Sequence, residues 1–188
     1  MIIVLDAGQA EDDLARGVIG CPRCGGSLRP WSWAKPRWVR LRDGARLVRP
    51  RRARCASCRA SQVLLPSWCL PRRADAAEVI GAALVAKADG HGYRSIAERL
   101  DRPPSTVRAW LRRARGGHVV WLRRRGVEHA AALDPHILGE ELPAASPLGE
   151  ALTALSAAVL AYRRRVGRLA DTWALVGAFT TGRLLAPS

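Results

Sequence analysis

The sequence contains no long apolar run, and its N-terminus lacks the basic segment of a signal peptide. Its longest apolar stretch, residues 151–162, is too short to span a bilayer and contains Thr and Ser. The opening MIIVLD leads directly into the acidic AEDDLARG. These absences predict a cytoplasmic protein with no membrane partner, in a compartment that keeps cysteine thiols reduced.

Acidic side chains and lysine are also scarce. Lysine accounts for two of the 31 basic residues, so arginine carries most of the positive charge. The formal net charge is +15 over 188 residues, and residues 21–74 alone carry +13 because Asp43 is their single acid. A surplus of this size is typical of a protein that binds a polyanionic partner, which is more often nucleic acid than a membrane surface. We therefore expect the protein to be associated with the nucleoid.

Four segments differ in their residue pattern. Residues 1–20 combine a short strand with an acidic turn or helix. Residues 21–72 alternate Trp, Val and Leu with arginine, which favours strands, and Asp43-Gly44 stands where a two-residue hairpin turn would fall. Residues 73–116 have the periodicity of three short helices, and residues 117–188 that of a helical C-terminal region.

Four cysteines form two Cys-x-x-Cys pairs, Cys21 with Cys24 and Cys55 with Cys58, separated by 30 residues. Each pair can place two thiolates on one side of a tetrahedral ion, and two pairs complete the ligand set of a structural Zn²⁺ site. The two glycines after Cys24 let backbone amides turn toward the sulfurs. The gap exceeds the usual spacing of about 15–20 residues, but a hairpin within it would bring the pairs together. The spacing predicts a structural zinc ion.

Other roles for these cysteines fit the sequence less well. Disulfides conflict with a reducing compartment, and thioredoxin-type chemistry lacks the strand–helix–strand setting of its motif. Inert buried thiols are not expected in two matched pairs. Cys69 lies outside the spacing and is predicted to be a small buried side chain.

Three tryptophans, Trp31, Trp33 and Trp38, are interleaved with basic residues. They could stack on bases, as in proteins that bind single strands. In a small zinc-binding β domain, however, tryptophans more often replace a missing apolar core, and this is the interpretation that we prefer. The nearby arginines are predicted to contact phosphates, together with one arginine of the helical unit: Arg49, Arg51, Arg52, Arg54, Arg59 and Arg94.

The segment 73–116 predicts three helices. In the first, Val79, Ile80, Ala83 and Leu84 share one face, and the helix stops at Gly90. The second helix has two possible starts, since a capping box at Ser95 would leave little more than one turn. A start after Gly92 gives about two turns, and we prefer it.

The third helix is predicted to begin at Pro104, after a tight turn at residues 101–103. Its buried side comprises Val107, Trp110 and Leu111. Small polar residues at its start and arginines one and two turns later suit an element placed in the major groove of DNA. The alternative is a plain amphipathic helix with a solvated arginine face. The outward positions are Ser105, Thr106, Arg108, Ala109, Arg112 and Arg113.

The C-terminal region is predicted to contain a fourth helix, a linker over residues 134–147 and a helix of about five turns. The long helix has an apolar stripe from Leu148 to Val166. Gly167 is predicted to end it, and a shorter helix then spans residues 173–179. These helices would either pack on the three-helix unit or form a homodimer through residues 148–180.

The pattern G-x-x-x-I-A-x-x-L followed by S-T-V-x-x-W resembles the helix-turn-helix of bacterial transposases and related regulators. With the preceding C-P-x-C and C-x-x-C pairs, residues 21–115 resemble the N-terminal DNA-binding half of insertion-sequence transposases. The whole chain resembles a family of stand-alone bacterial proteins with a zinc ribbon, a helix-turn-helix and a short helical tail. The resemblance implies that the four paired cysteines bind zinc, and that Ser105, Thr106, Arg108 and Arg112 face the groove.

A catalytic function is not expected. Such transposases continue into a nuclease domain with three metal-binding carboxylates, whereas the acids after Arg115 lie on predicted helices and a linker rather than on strands. The four histidines are scattered, and no Ser/His/Asp set, Gly-rich phosphate loop or small-molecule site is evident.

The sequence therefore predicts an α+β protein with a zinc-ribbon β domain, a three-helix homeodomain-like unit and a helical tail. The preferred function is sequence-specific binding of double-stranded DNA in transcription regulation. One alternative is a transposase-derived or accessory transposition protein without a catalytic domain. Another is an adaptor that binds RNA or protein.

Overall fold

The computed structural model describes residues 1–140, 144–167 and 170–187. It has the predicted α+β architecture, with a β-rich N-terminal part followed by helices. Among the helices that it describes, none is long and apolar enough to cross a membrane.

The strands in the described residues are β1 (Ile2–Val4), β2 (Leu28–Trp33), β3 (Arg37–Leu41), β4 (Gly44–Val48), β5 (Arg51–Cys55) and β6 (Ser61–Pro66). Four of them form a sheet in the order β1-β6-β5-β2, in which β1 runs parallel to β6 and the other neighbours are antiparallel. The predicted N-terminal strand is thus an edge strand of the cysteine-containing sheet.

The predicted acidic helix, α1 (Ala7–Arg16), covers one face of this sheet. Asp6 caps its start, and Gly17 ends it in the left-handed conformation with φ 73°. Leu14 of α1 packs with Leu28, Ala53 and Leu64 in a small apolar cluster. The next residue of β6, Leu65, belongs to the larger cluster that includes the helices, because successive strand residues face opposite sides of a sheet.

Strands β3 and β4 form a separate hairpin. Leu41 pairs with Gly44, so the two-residue turn is Arg42-Asp43. The predicted turn, Asp43-Gly44, was one residue too late. The inward alternation of Val39 and Leu41 fixes the register, and Gly44 follows the turn with φ 113°, a conformation that favours glycine.

The helices that follow are α2 (Ala77–Ala88), α3 (Tyr93–Arg99), α4 (Pro104–Arg113), α5 (Gly117–Leu133), α6 (Pro147–Val166) and α7 (Thr172–Phe179). The start of α3 after Gly92 and the start of α4 at Pro104 are confirmed. Val107, Trp110 and Leu111 are buried, as are the four residues predicted for the inner face of α2. Periodicity therefore located both the helices and their core faces.

Helices α5 and α6 pack closely against each other. A Cβ atom on Gly126 of α5 would lie 2.5 Å from the backbone carbon of Ala154 in α6. Leu155 and Val159, at the centre of the predicted apolar stripe, are buried, and Gly167 ends α6 with φ 67°. The stripe is thus largely covered within one chain.

The predicted linker is partly helical. Residues Pro135–Glu140 form a 3-10 helix, in which Ile137 is buried in the main core. This apolar anchor explains why the segment is not extended. Residues 141–143 of the predicted linker lie outside the described part of the chain.

Candidate metal centre and nucleic-acid interface

The two cysteine pairs lie in turns at the same end of the four-stranded sheet. Cys21 and Cys24 precede β2, whereas Cys55 ends β5 and Cys58 follows it. The antiparallel register pairs Leu28 with Cys55, so the two turns become neighbours although they are far apart in sequence. The β3–β4 hairpin occupies the intervening chain, as predicted.

Backbone hydrogen bonds shape the two turns that hold the cysteine pairs. In the first pair, the Cys21 amide donates to the Gly26 carbonyl at 2.7 Å, and Gly25 has φ 75°. In the second pair, the Cys55 amide donates to the Ala60 carbonyl at 2.9 Å. A Cβ on Gly26 would lie 3.3 Å from the Cys55 sulfur. A side chain larger than hydrogen there would therefore crowd the cluster.

The four sulfur atoms are arranged as ligands of one tetrahedral ion. They all lie within 4.8 Å of one another, with Cys21 Sγ 3.7 Å from Cys58 Sγ and Cys24 Sγ 3.5 Å from Cys55 Sγ. A disulfide would require about 2.05 Å. Four sulfurs about 2.3 Å from a central ion lie about 3.8 Å apart. The cluster can therefore hold a metal ion, and its geometry is compatible with zinc.

The ionisation of these thiols also favours a bound cation. The backbone amide of Cys58 stabilises the Cys55 thiolate and, with help from the Cys24 thiol, lowers its pKa to about 6. At Cys58 the Ala60 amide favours the thiolate, but the Cys24 thiol, burial and the other sulfurs outweigh it and raise the pKa to about 11. A divalent cation at the centre would remove this mutual opposition, since metal binding stabilises thiolates.

Cys69 is not part of this cluster. It is fully buried in the helical core, and its burial raises the pKa of its thiol to about 11. The prediction of a small buried side chain is confirmed.

The ribbon arginines are held against tryptophan rings. The guanidinium carbons of Arg54 and Arg52 lie 4.9 and 5.6 Å from the centroid of Trp31. Those of Arg51 and Arg49 lie 4.7 and 6.0 Å from the centroid of Trp33. Such contacts are attractive because the ring face is electronegative. Three of these arginines thus lie on β5, and Arg49 lies just before it, each with its guanidinium beside an indole ring.

The predicted phosphate contacts differ in their accessibility. Arg49, Arg59 and Arg94 are exposed, and Arg52 and Arg54 are half-buried. Arg51 is only 19% exposed and forms an ion pair with Glu11 at 2.9 Å. A phosphate would have to displace Glu11 from Arg51, so the other five are the more accessible candidates.

The three tryptophans of the strand-rich segment do not form a core. Trp31, Trp33 and Trp38 are 50%, 48% and 63% exposed, so the preferred interpretation from the sequence was wrong for all three. Trp31 is the extra residue where the β2–β5 register shifts between Pro30 and Ser32, and a bulge of this kind redirects a side chain. Alternation read from the sequence could not reveal this bulge.

Helix α4 presents the predicted polar side. Ser105, Arg108 and Arg112 are exposed, and Thr106, Ala109 and Arg113 are half-buried. Pro103 and Pro104 leave the start of α4 without a side-chain cap. Thus the helix has a free polar surface opposite its buried Trp110 face.

A buried ion-pair group joins the β3–β4 hairpin to the turn before α4. Asp75 is 3% exposed and accepts hydrogen bonds at 2.7 Å from Arg102 and from Arg40 of β3. Arg102 also donates to the Leu41 carbonyl at 2.8 Å. Sequence reasoning missed this group. The one available signal was an aspartate next to a basic segment, and it does not identify a partner.

These features define a β sheet with a four-cysteine cluster, followed by a three-helix unit of the helix-turn-helix type. Consistent with that class, residues 73–128 match the family model described as a homeodomain-like domain. This match supports a DNA-binding role. Comparison of the chain with the curated proteins and with the solved structures gives no match.

Proposed function

We propose that this protein binds double-stranded DNA in a sequence-specific manner and acts in transcription regulation. The observation that carries the proposal is the exposed polar face of α4 within the homeodomain-like match. Ser105, Thr106, Arg108 and Ala109 would meet base edges in the major groove, with Arg112 and Arg113 one turn further along.

The accessible arginines of the β-rich part would supply phosphate contacts that fix the orientation of α4. They are Arg49, Arg52, Arg54 and Arg59. Base contacts carry sequence information, whereas phosphate contacts give affinity and position. Asp75 supports this division of roles because it connects β3 to the turn that precedes α4. The β3–β4 hairpin and α4 would then bind DNA as one rigid surface, with Arg49 directly after the hairpin.

We further propose that the four-cysteine cluster holds a structural Zn²⁺ ion. Cys21, Cys24, Cys55 and Cys58 would be its ligands, which leaves no open position for a substrate. The ion supplies folding energy to a part of the chain with a small apolar cluster of its own.

Selection of bound sites from a random duplex pool, with protein purified under reducing conditions, tests the proposed function. Enrichment of one short motif would support sequence-specific recognition. Uniform recovery of all sequences with a steep salt dependence would contradict it, since phosphate contacts alone produce that behaviour.

A second candidate, a protein that binds single-stranded nucleic acid, is favoured by the exposed Trp31, Trp33 and Trp38. Indole rings flanked by guanidinium groups are suitable stacking surfaces for unpaired bases. Competition between duplex DNA and single-stranded RNA decides between the candidates. If the single strand displaces the duplex at equal concentration, the second candidate is correct.

Dimerisation through residues 148–180 stays a prediction. Leu155 and Val159 are buried within the chain, so a second copy would have to use the exposed Leu160 and Val166. Sedimentation at micromolar concentration tests it, and a two-fold symmetric bound motif would agree with a dimer.

A further inference from the structure

A basic cavity of about 450 Å³ lies beside the C-terminal end of α4, between the start of β1, the segment after β6 and the turn after α7. Its size is that of a small-ligand site. Among the described residues that line it, three are arginines, Arg72, Arg73 and Arg183, and none is acidic. The apolar part of the lining comprises Ile3, Leu70, Pro71, Leu185 and Pro187.

The described residues place no acidic partner beside the positive charge around the cavity. Within residues 1–140, 144–167 and 170–187, no ion pair involves Arg72, Arg73, Arg183 or the neighbouring Arg113. Burial and the charge of Arg113 lower the pKa of Arg73. Like charges held close together without a counterion are unfavourable, so a bound anion would stabilise this arrangement.

The backbone at the cavity is strained on two of its sides. Arg72 has φ 58° and Thr181 has φ 49°, and both line the cavity. A left-handed conformation is costly for residues other than glycine, above all for a β-branched one. Strain of this kind occurs preferentially at ligand sites.

The cavity is directly attached to the helix that we assign to the major groove. The Ala186 amide, in the cavity wall, donates to the Arg113 carbonyl in the last turn of α4 at 3.1 Å. An anion bound here would therefore lie against the segment that is hydrogen-bonded to the end of α4.

We propose that this cavity is a phosphate site, in which Arg72, Arg73 and Arg183 bind a phosphate group. Guanidinium groups match phosphate oxygens with paired hydrogen bonds, and the apolar lining suits the sugar or base attached to that phosphate. The phosphate belongs either to a free nucleotide-sized molecule or to the DNA backbone. The second case alone rests on the proposed function.

The first arm of the test uses free ligands. Wild-type protein is titrated with adenosine 5′-monophosphate and with inorganic phosphate in an isothermal calorimeter at constant ionic strength. Saturable binding that is about tenfold weaker in Arg73→Ala and in Arg183→Ala supports a free-ligand site. The matched control is Arg165→Ala, which removes an exposed charge from the last turn of α6 and should leave binding unchanged.

The second arm uses duplex DNA. If the phosphate belongs to the DNA backbone, Arg73→Ala weakens binding to all duplexes equally. It also lowers the slope of log K against log salt by about one. The selected sequence motif stays the same. The free ligands then show no saturable binding.

A third variant separates binding from folding. Arg72→Gly removes a guanidinium and relieves the left-handed backbone, so its melting temperature should rise while phosphate binding weakens. If the three cavity variants bind free phosphates and duplex DNA as tightly as Arg165→Ala does, the proposal is wrong. Failure of duplex binding altogether would contradict the proposed function, and the free-ligand arm would still test the cavity.

Discussion

The carboxylate of Asp75 accepts a 2.7 Å hydrogen bond from Arg102 Nε, with both side chains less than a tenth exposed. Arg40 of β3 donates to the second oxygen of the same carboxylate at 2.7 Å. Asp75 precedes α2, whereas Arg102 lies in the turn between α3 and α4. The pair therefore fixes the predicted recognition helix to the β-rich part of the protein.

Removal of the Asp75 carboxylate is expected to be strongly destabilising. In Asp75→Ala the guanidinium of Arg102 stays buried without a counterion, and such a loss costs about 3–5 kcal/mol. Urea denaturation measures the change. The control is Glu150→Ala, which removes an exposed pair with Arg123 at 3.4 Å and should cost at most about 1 kcal/mol. Equal costs for the two variants would show that the Asp75 pair is not structural.

Local sequence patterns predicted much of the helical unit and of the four-cysteine cluster. The start of α4 at Pro104 depends on the fixed φ of proline, and the buried Trp110 face depends on helical periodicity. Both are properties of neighbouring residues. The cysteine cluster was predictable because two matched pairs are rare without a metal.

The long-range contacts were not predictable in this way. The hydrogen bond from Arg40 to Asp75 spans 35 residues, and the parallel pairing of β1 with β6 spans about sixty. Trp31 lies in a bulge that depends on its partner strand. Each of these contacts is selected by tertiary packing rather than by the adjacent sequence.

Loss of the proposed metal ligands should unfold the sheet and spare the helical unit. In the double variant Cys24→Ser, Cys55→Ser, amides of β2, β5 and β6 should exchange hydrogen rapidly, while those of α2 stay protected. The reason is that the small apolar cluster under the sheet is separate from the main core. Hydrogen exchange with mass spectrometry measures the difference.

Two observations would contradict this prediction. One is native mass spectrometry that finds no metal in wild-type protein purified under reducing conditions. The other is unchanged protection of β5 in the double variant. Cys69→Ser is the matched control, because Cys69 lies outside the cluster and its loss should leave the metal content unchanged.

Substitutions in α4 and in the sheet should affect DNA binding in different ways. Arg108→Ala removes a base-edge contact in our proposal, so we expect a loss of about 1–3 kcal/mol on the selected sequence and a relaxed preference at one position. Arg49→Ala should weaken binding to all sequences about equally and reduce the slope of log K against log salt by about one. Binding isotherms at several salt concentrations measure both effects. Identical changes in the two variants would refute the division of roles.

The close packing of α5 against α6 predicts an unusual response to alanine. Gly to Ala within a helix is normally stabilising by about 1 kcal/mol. In Gly126→Ala the added Cβ would meet the Ala154 carbon at 2.5 Å and the Leu155 nitrogen at 2.6 Å, so we expect a net loss of about 1–3 kcal/mol. Gly117→Ala is the control, since no atom lies within 4 Å of its added Cβ. A stabilised Gly126→Ala variant would show that the helices are further apart.

Mild acid should weaken the attachment of the C-terminal segment to α5. Burial, followed by the charge of Arg125, lowers the pKa of His129 below its usual 6.5, and burial likewise lowers the pKa of His118. His129 lies 3.2 Å from the Phe179 carbonyl and His118 lies 3.4 Å from the Leu184 carbonyl. These histidines bind protons at a higher pH in the unfolded chain than in the folded one. Their contribution to the free energy of unfolding is therefore fully present above pH 6.5 and falls as the pH drops below it.

This pH dependence is measured by the urea midpoint between pH 7.5 and pH 5.5. The variant His129→Gln keeps a polar group beside Phe179 but cannot ionise in this range. Its midpoint should therefore change less with pH than that of the wild type, and the double variant His118→Gln, His129→Gln should change least. If the wild type and the double variant lose stability in parallel over this range, the two histidines are not responsible, and carboxylates at other sites must account for the loss.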